Sequence, residues 1–296
     1  MRILVTGATG FVGSAVVADL IGAGHRVIGL ARSEAGAATL SAAGAEVHHG
    51  DLRDPDGLRR AAASVDGVIH TAFDHDFSKF AENSRVDMQA IEALGSALEG
   101  SDRPLLVTSG LARLAPGRLA VEADRPPAAS AAYPRASEAA AAALAARGVR
   151  AAVVRLPPSV HGAGDHGFVP FLIRLARETG VSAYIGDGSN RWAAVHRRDA
   201  ARVFRLAIEH GGSGGPYHAI DEESVPFRRI AETIGRGLNL PVVAKSGEEA
   251  AAHFTWFAHF AGMDVPASSA HTRALLGWAP REAGLIEDIA TAGYFG

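Results

Sequence analysis

The chain has 296 residues, enough for a large core and for one big domain or two unequal ones. A net charge of −3 removes the electrostatic case for nucleic acid or an anionic membrane as partner, and no uncharged apolar stretch is long enough to span a bilayer. The absence of cysteine excludes disulfides and thiolate chemistry and fits a cytoplasmic protein. The chain enters a strand at once, so no leader peptide is expected. Ile3-Leu4-Val5 reads as that first buried strand. Gly7, Gly10 and Gly13 then make a tight turn into a helix that begins near Phe11. Such a turn leaves unpaired N–H groups at the positive end of a helix, a ready site for a pyrophosphate. Gly7 permits the turn, Gly10 lets phosphates approach the backbone, and Gly13 lets the helix pack close on the strand.

Further strands are read at 26–31, 46–52 (with its exit), 66–72, 104–109 and 150–156, with helical stretches at 34–43, 56–63, 79–99 and 132–148. A glycine-rich stretch, His210 to Pro216, reads as a surface loop before Tyr217-His218-Ala219-Ile220. Short continuous apolar runs alternating with helices indicate an α/β fold with a parallel sheet covered on both faces, here of seven strands. There is no internal repeat.

Thr6-Gly7-Ala8-Thr9-Gly10-Phe11-Val12-Gly13, Gly50-Asp51-Leu52, Val68-Ile69-His70-Thr71-Ala72, Val154-Arg155-Leu156-Pro157-Pro158-Ser159-Val160-His161-Gly162 and Val195-His196-Arg197-Arg198-Asp199-Ala200 share one pattern. By these motifs the chain resembles an atypical branch of the extended short-chain dehydrogenase/reductases, the group of nucleotide-sugar epimerases and dehydratases. The resemblance implies a doubly wound Rossmann domain, 1–156 plus 198–220, and a smaller C-terminal substrate lobe, 157–197 plus 221–296. It implies that Gly7, Gly10, Phe11 and Val12 hold the pyrophosphate, and that Asp51 and Leu52 border the adenine. Thr71 and Ala72 would border the nicotinamide-side ribose, and Pro157 to Val160 would lie against the nicotinamide. Cofactor choice follows from chemistry. A carboxylate at the end of the second strand would accept bonds from the ribose hydroxyls, but Arg32 and Ser33 stand there. Arg32 can pair with a 2′-phosphate, which favours NADP(H), and Glu34 would weaken that site if it turned inward.

In this group a tyrosine serves as general acid/base, a lysine one helical turn later lowers its pKa and holds the ribose, and a hydroxyl after the fifth strand binds the substrate oxygen. Tyr133 occupies the tyrosine position, but Ser137 stands where the lysine belongs, and the only lysines are Lys79 and Lys245. Thr108 or Ser109 supplies the hydroxyl, with Gly110 at the position some relatives use. Three readings stay open. Tyr133 acts alone or with help from Arg135; another acid, His75, His161 or His166, has taken over; or the site is a silent NADP(H)-binding sensor. His75 lies between two acids and one helical turn before Lys79. Ser137 is expected one helical turn beyond Tyr133, on the same face.

Phe254, Trp256, Phe257 and Phe260 crowd one segment, either sealing the small lobe or walling an apolar pocket. No spacing of histidines, carboxylates or thiolates makes a metal site. The small side chains of Ala139 to Ala146 allow close packing on the sheet or in a homodimer. The expected function is an NADP(H)-dependent oxidoreductase acting on a small apolar carbonyl or alcohol. The alternatives are the non-catalytic sensor and a nucleotide-sugar epimerase or dehydratase, for whose diphosphate Arg174, Arg177 and Arg191 are the available cations.

Overall fold

The computed structural model describes residues 1–131 and 133–296. The first half alternates strictly: β1 (Arg2–Thr6), α1 (Phe11–Gly22), β2 (Arg26–Ala31), α2 (Glu34–Ala42), β3 (Glu46–His49), α3 (Pro55–Ala63), β4 (Gly67–His70), α4 (Phe80–Ser96), β5 (Pro104–Gly110), α5 (Ser137–Ala146) and β6 (Arg150–Leu156). The second half continues with β7 (Ser159–His161), α6 (Phe168–Thr179), β8 (Ser182–Ile185), β9 (Arg191–His196), α7 (Arg197–Glu209) and β10 (Tyr217–His218). It ends with β11 (Glu222–Pro226), α8 (Phe227–Leu238), β12 (Val242–Lys245), α9 (Gly247–Phe254), α10 (Ala258–Ala261), α11 (Ala270–Leu276) and α12 (Leu285–Thr291).

Seven strands form one parallel sheet in the order β10-β6-β5-β4-β1-β2-β3, with Tyr217 and His218 as the seventh strand. The order reverses between β1 and β4, and the carboxyl ends of two strands at such a switch point leave a crevice for a ligand. Alternate residues of each strand face opposite layers. Ile3, Val5, Leu106 and Val154 pack with Val16 and Leu20 of α1 and with Phe204 and Ile208 of α7. Leu4, Val68, Leu105 and Val107 pack with residues of α3, α4 and α5. A Cβ on Gly95 would stand 2.3 Å from Leu144, so α4 and α5 approach as closely as the alanine-rich helix allows.

A third core lies under two smaller sheets, β11-β9-β7 and β12-β8, and gathers Val169, Leu172, Trp192, Phe227, Phe254 and Phe257. The chain then returns to the first core, where Trp278, Leu275 and Leu276 pack.

Two sequence expectations are corrected here. The helix expected over 132–148 begins only at Ser137, although Ala132 lies outside the described residues. Tyr133 precedes Pro134, whose ring disfavours helical backbone in the residue before it, and it pairs with Ser130 in a short antiparallel bridge instead. Tyr133 and Ser137 are therefore not one helical turn apart on a shared face. The helix expected from 79 starts at Phe80, after a 3-10 turn over Phe77–Lys79 that Asp76 caps through Ser78 N at 3.1 Å. Lys79 accordingly reaches Asp76 at 4.0 Å and not His75.

Candidate active site

The glycine turn is built by steric need. Gly7 has φ 65°, and a Cβ there would stand 2.7 Å from Ala72 N. A Cβ on Gly13 would stand 2.0 Å from the Gly7 carbonyl oxygen. Gly10 N donates to that same oxygen at 2.8 Å and closes the turn. β4 leaves the sheet against this turn. Thr71 Oγ1 donates to Thr6 O at 2.7 Å, so Gly7, Gly10, Thr71 and Ala72 meet at one point. No side chain caps the start of α1, and its first turn holds no acid. Its N–H groups therefore remain available to an anion at the positive end of the helix dipole.

Phe11 opens α1, and its ring lies 4.7 Å below the Arg197 guanidinium and edge-on to His166 at 5.7 Å. Arg197 also donates to Ser14 Oγ and to Ala163 O, each at 3.1 Å, which bends a cation over the helix start. Val12 packs beneath, against the first core. At the end of β2, Arg32 is exposed and makes no ion pair among the described residues. Ser33 Oγ instead accepts from Gly36 N at 3.2 Å and caps α2. Glu34 faces away, 3.9 Å from His49. Asp51 accepts from Arg53 N at 2.8 Å and Leu52 packs on the α3–α4 core. Beyond β6, Pro157 is buried, Val160 packs on the first core, and the buried Ser159 Oγ has no partner. An uncapped helix start under a glycine turn, a free guanidinium at the β2 end and an orphaned hydroxyl fit a dinucleotide.

Beside this cradle the missing lysine is accounted for. Ser137 is 2% exposed and donates to Asp87 Oδ2 at 2.6 Å. Asp87 Oδ1 lies 3.1 Å from His70 Nε2, and His70 Nδ1 lies 2.8 Å from Thr6 Oγ1. Burial works to raise the Asp87 pKa, but bonds from His70 and Ser137 and the charge of Arg135 hold it below the ordinary value. Arg135 donates to Ser137 Oγ at 3.1 Å and to Thr108 O at 3.3 Å, and its guanidinium lies 4.3 Å over the Phe73 ring. A cation thus stands beside the serine after all, supplied from two residues earlier. Burial raises the Tyr133 pKa, against the lowering charges of Arg135 and Arg113. The Arg113 guanidinium lies 5.6 Å over the Tyr133 ring. Thr108 Oγ1 is spent on His70 O at 2.8 Å, so Ser109, 8% exposed and without a side-chain bond among the described residues, keeps the freer hydroxyl. A Cβ on Gly110 would meet no atom within 4 Å, so the end of β5 opens into space.

The histidines separate. His161 is 1% exposed, with Nδ1 2.8 Å from Asp288 Oδ2, so its expected candidacy as an acid is corrected: it is locked in the core. His75 reaches solvent at the cleft edge, edge-on to Phe73 at 5.2 Å. Desolvation by the cleft walls, then the charges of Arg135 and His166, hold its pKa below the ordinary value. The C-terminal aromatics also divide. Phe254 and Phe257 are buried in the third core. Trp256 is 52% exposed and stacks on Phe77 at 5.7 Å, and Phe260 meets Phe77 at 5.6 Å. The reading of a segment that seals the small lobe holds for Phe254 and Phe257, while Trp256 and Phe260 lie against Phe77 at the surface. A continuous run of rings therefore leads from Tyr133 through Phe80 and Phe77 to Trp256. A surface hollow of about 790 Å³, lined by Glu222, Arg236, Glu287 and Phe295 among others, shares no residue with this cleft.

The family model described as the NAD dependent epimerase/dehydratase family matches residues 3–220. The chain belongs to that family. An uncharacterized protein of Schizosaccharomyces pombe is 49% identical over 297 residues, covering 100% of both chains. The 2-alkyl-3-oxoalkanoate reductase of Stenotrophomonas maltophilia is 29% identical over 264 residues, covering 83% of this chain and 78% of that protein. The fold matches dTDP-glucose 4,6-dehydratase of Streptomyces venezuelae, solved with NAD bound, at TM-score 0.79 and 21% identity over 100% of this chain and 96% of that one. For an epimerase/dehydratase-family protein, the least legible site residues are Asp87, Arg113 and Arg197. Arg197 sits inside a recognisable motif, so a signal existed. Asp87 lies mid-helix and Arg113 mid-loop, and nothing local marks either.

Proposed function

We propose that this protein is an NADP(H)-dependent oxidoreductase that reduces a ketone, or oxidises the matching alcohol, on an apolar substrate. The observation that carries this reading is that Tyr133 and Arg135 lie by the strand ends next to the glycine turn, where Arg135 donates to Thr108 O, Thr108 Oγ1 to His70 O, and Thr71 Oγ1 to Thr6 O. Gly7, Gly10, Phe11 and Val12 would hold the pyrophosphate, Thr71 and Ala72 the near ribose, and Pro157 to Val160 the nicotinamide face. Asp51 and Leu52 would border the adenine and Arg32 the 2′-phosphate. Bound there, the reduced nicotinamide supplies a hydride. Tyr133 gives its proton to the substrate oxygen, Ser109 hydrogen-bonds that oxygen, and Arg135 stabilises the phenolate left behind. Residues 157–197 and 221–296 would form the lobe that closes over the substrate.

A relative named for reducing a 3-oxoalkanoate supports a ketone as substrate. A nucleotide sugar is less favoured, because the three small-lobe arginines expected to hold its diphosphate are engaged. Arg191 is held by Asp264 at 2.9 and 2.7 Å, Arg177 donates to Phe295 O, and Arg174 lies 3.7 Å from Glu178. The test is loss of nicotinamide absorbance with NADPH and a panel of aryl and alkyl ketones, against a cofactor-only control. Turnover that falls steeply in Tyr133→Phe and survives in His75→Gln is expected. Full activity in Tyr133→Phe refutes the role of the tyrosine, and no turnover with any ketone favours the silent sensor.

A further inference from the structure

The cleft carries one cation, Arg113, beyond the Arg135 that the tyrosine chemistry above employs. The Arg113 guanidinium lies 5.6 Å over the Tyr133 ring, and Arg135, two residues beyond that tyrosine, donates to Ser137 Oγ at 3.1 Å and to Thr108 O at 3.3 Å. Neither has an ion-pair partner among the described residues. The nearby acids are committed elsewhere. Glu138 is held by Arg155 at 2.8 Å, Asp87 by His70 and Ser137, Asp124 by Arg118, and Asp76 caps the turn at Ser78. Asp74, on the loop by His75, accepts from Asp76 N at 3.0 Å. Arg113 holds this position at a cost, with φ 66° in the left-handed region that a non-glycine residue uncommonly adopts. Phe80 stands edge-on to Tyr133 and leads through Phe77 to Trp256 and Phe260. The cleft thus sets Arg113 over Tyr133 and Arg135 over Phe73, neither in an ion pair among the described residues, beside a run of rings that reaches solvent at Trp256.

We propose that the substrate is an oxo acid or hydroxy acid of ring-sized apolar body, whose carboxylate is held by Arg113 and Arg135 while its body lies along Phe77, Phe80 and Trp256. This rests on the reading that Tyr133 marks the reacting oxygen. A guanidinium presents two parallel N–H groups to a carboxylate and keeps its charge at any working pH, which suits a site that must hold the carboxylate beside the carbonyl. The wall selects a flat or bulky apolar group, since aromatic faces gain most from contact with another large apolar surface.

The test is a binding measurement on the full chain saturated with NADP⁺, so that it does not depend on turnover. Calorimetric titrations compare 4-phenylbutanoate with the neutral 4-phenylbutanol, in wild type and in Arg113→Gln, with Trp256 emission as a second readout. The acid is expected to bind about tenfold tighter than the alcohol, the difference a charge-assisted pair makes. Arg113→Gln, a change on an exposed loop, should bring the acid down to the alcohol. Arg135→Lys keeps the charge and should keep the preference, whereas Arg135→Gln should reduce it. Equal binding of acid and alcohol, binding of neither, or a preference that survives in Arg113→Gln and Arg135→Gln alike overturns the proposal. So does tighter binding of UDP than of 4-phenylbutanoate that is lost in Arg113→Gln, which would make the anion a diphosphate. Acid-selective, Arg113-dependent binding without turnover of any ketone would sink the oxidoreductase reading and leave the carboxylate site standing.

Discussion

Arg135→Gln probes the site at its electrostatic centre. Burial pushes the Tyr133 pKa up, and the charge of Arg135 is the largest influence drawing it down. An opposite charge close to an ionisable group commonly moves its pKa by about 1–3 units. The low end applies here, because Arg135 also acts on Asp87 and is tied to it through Ser137 Oγ. Its removal should therefore raise the Tyr133 pKa by about one unit, near 1.4 kcal/mol. The sign follows from the role. Alcohol oxidation needs the phenolate, so the rate rises as pH climbs through the pKa, and a higher pKa moves that rising limb upward. Below the limb the variant should be about tenfold slower at a given pH, and above it the two rates should converge. Reduction needs the protonated tyrosine and should be slowed less. The assay is NADP⁺ reduction with an aryl alcohol across about pH 6 to 10, a range that brackets the usual tyrosine pKa from below. Arg135→Lys should return the limb toward wild type, and a thermal melt checks the fold. An unmoved limb in a folded Arg135→Gln protein would show that the guanidinium does not set the acidity of Tyr133.

The other predictions touch the cradle and its support. Arg32→Ala should cut the preference for NADPH over NADH about tenfold by calorimetry, the loss of one charge-assisted pair; equal affinity for both cofactors in wild type would refute the assignment of Arg32. Gly7→Ala places a side chain at φ 65°, 2.7 Å from Ala72 N, so at least about 1–2 kcal/mol of stability and all measurable dinucleotide binding should be lost. A variant that binds as wild type would mean the turn is not the cradle. The folded Asp87 pKa lies below its unfolded value, so Asp87 contributes stability above the unfolded pKa that is lost as pH falls through the folded one. Asp87→Asn should cost about 1–3 kcal/mol in urea melts at neutral pH and lose less than wild type on acidification below about pH 4. An identical pH dependence in the two proteins would remove Asp87 from the acid response.

The strand–turn–helix at Ile3 to Gly22 was legible because every device in it is local. An apolar run, a glycine that takes positive φ and two glycines that permit close approach all lie within a few residues. The same holds for β2, β4, β5 and β6, whose apolar runs mark burial in the sheet, while the edge strand β3 is only half-buried. The seventh strand was expected but not placed, because Tyr217–His218 is too short to carry a strand pattern of its own. Tyr133 could be found, and the missing lysine noticed, from spacing alone. The sequence could not say what replaced that lysine, because Ser137 meets Asp87 across 50 positions and Thr6 meets His70 across 64. It misjudged the backbone at Tyr133, where a helix-favouring alanine run lies just past a proline whose steric effect acts backward on one residue. His161 stood among the candidate acids, and only the packing of the last helix, which brings Asp288 against it from 127 residues away, removed it. Local backbone preference and burial pattern are written residue by residue. The partner of a buried polar group depends on which elements the packing brings together, so only the tertiary structure decided how Arg113, Arg135 and the aromatic wall meet around Tyr133.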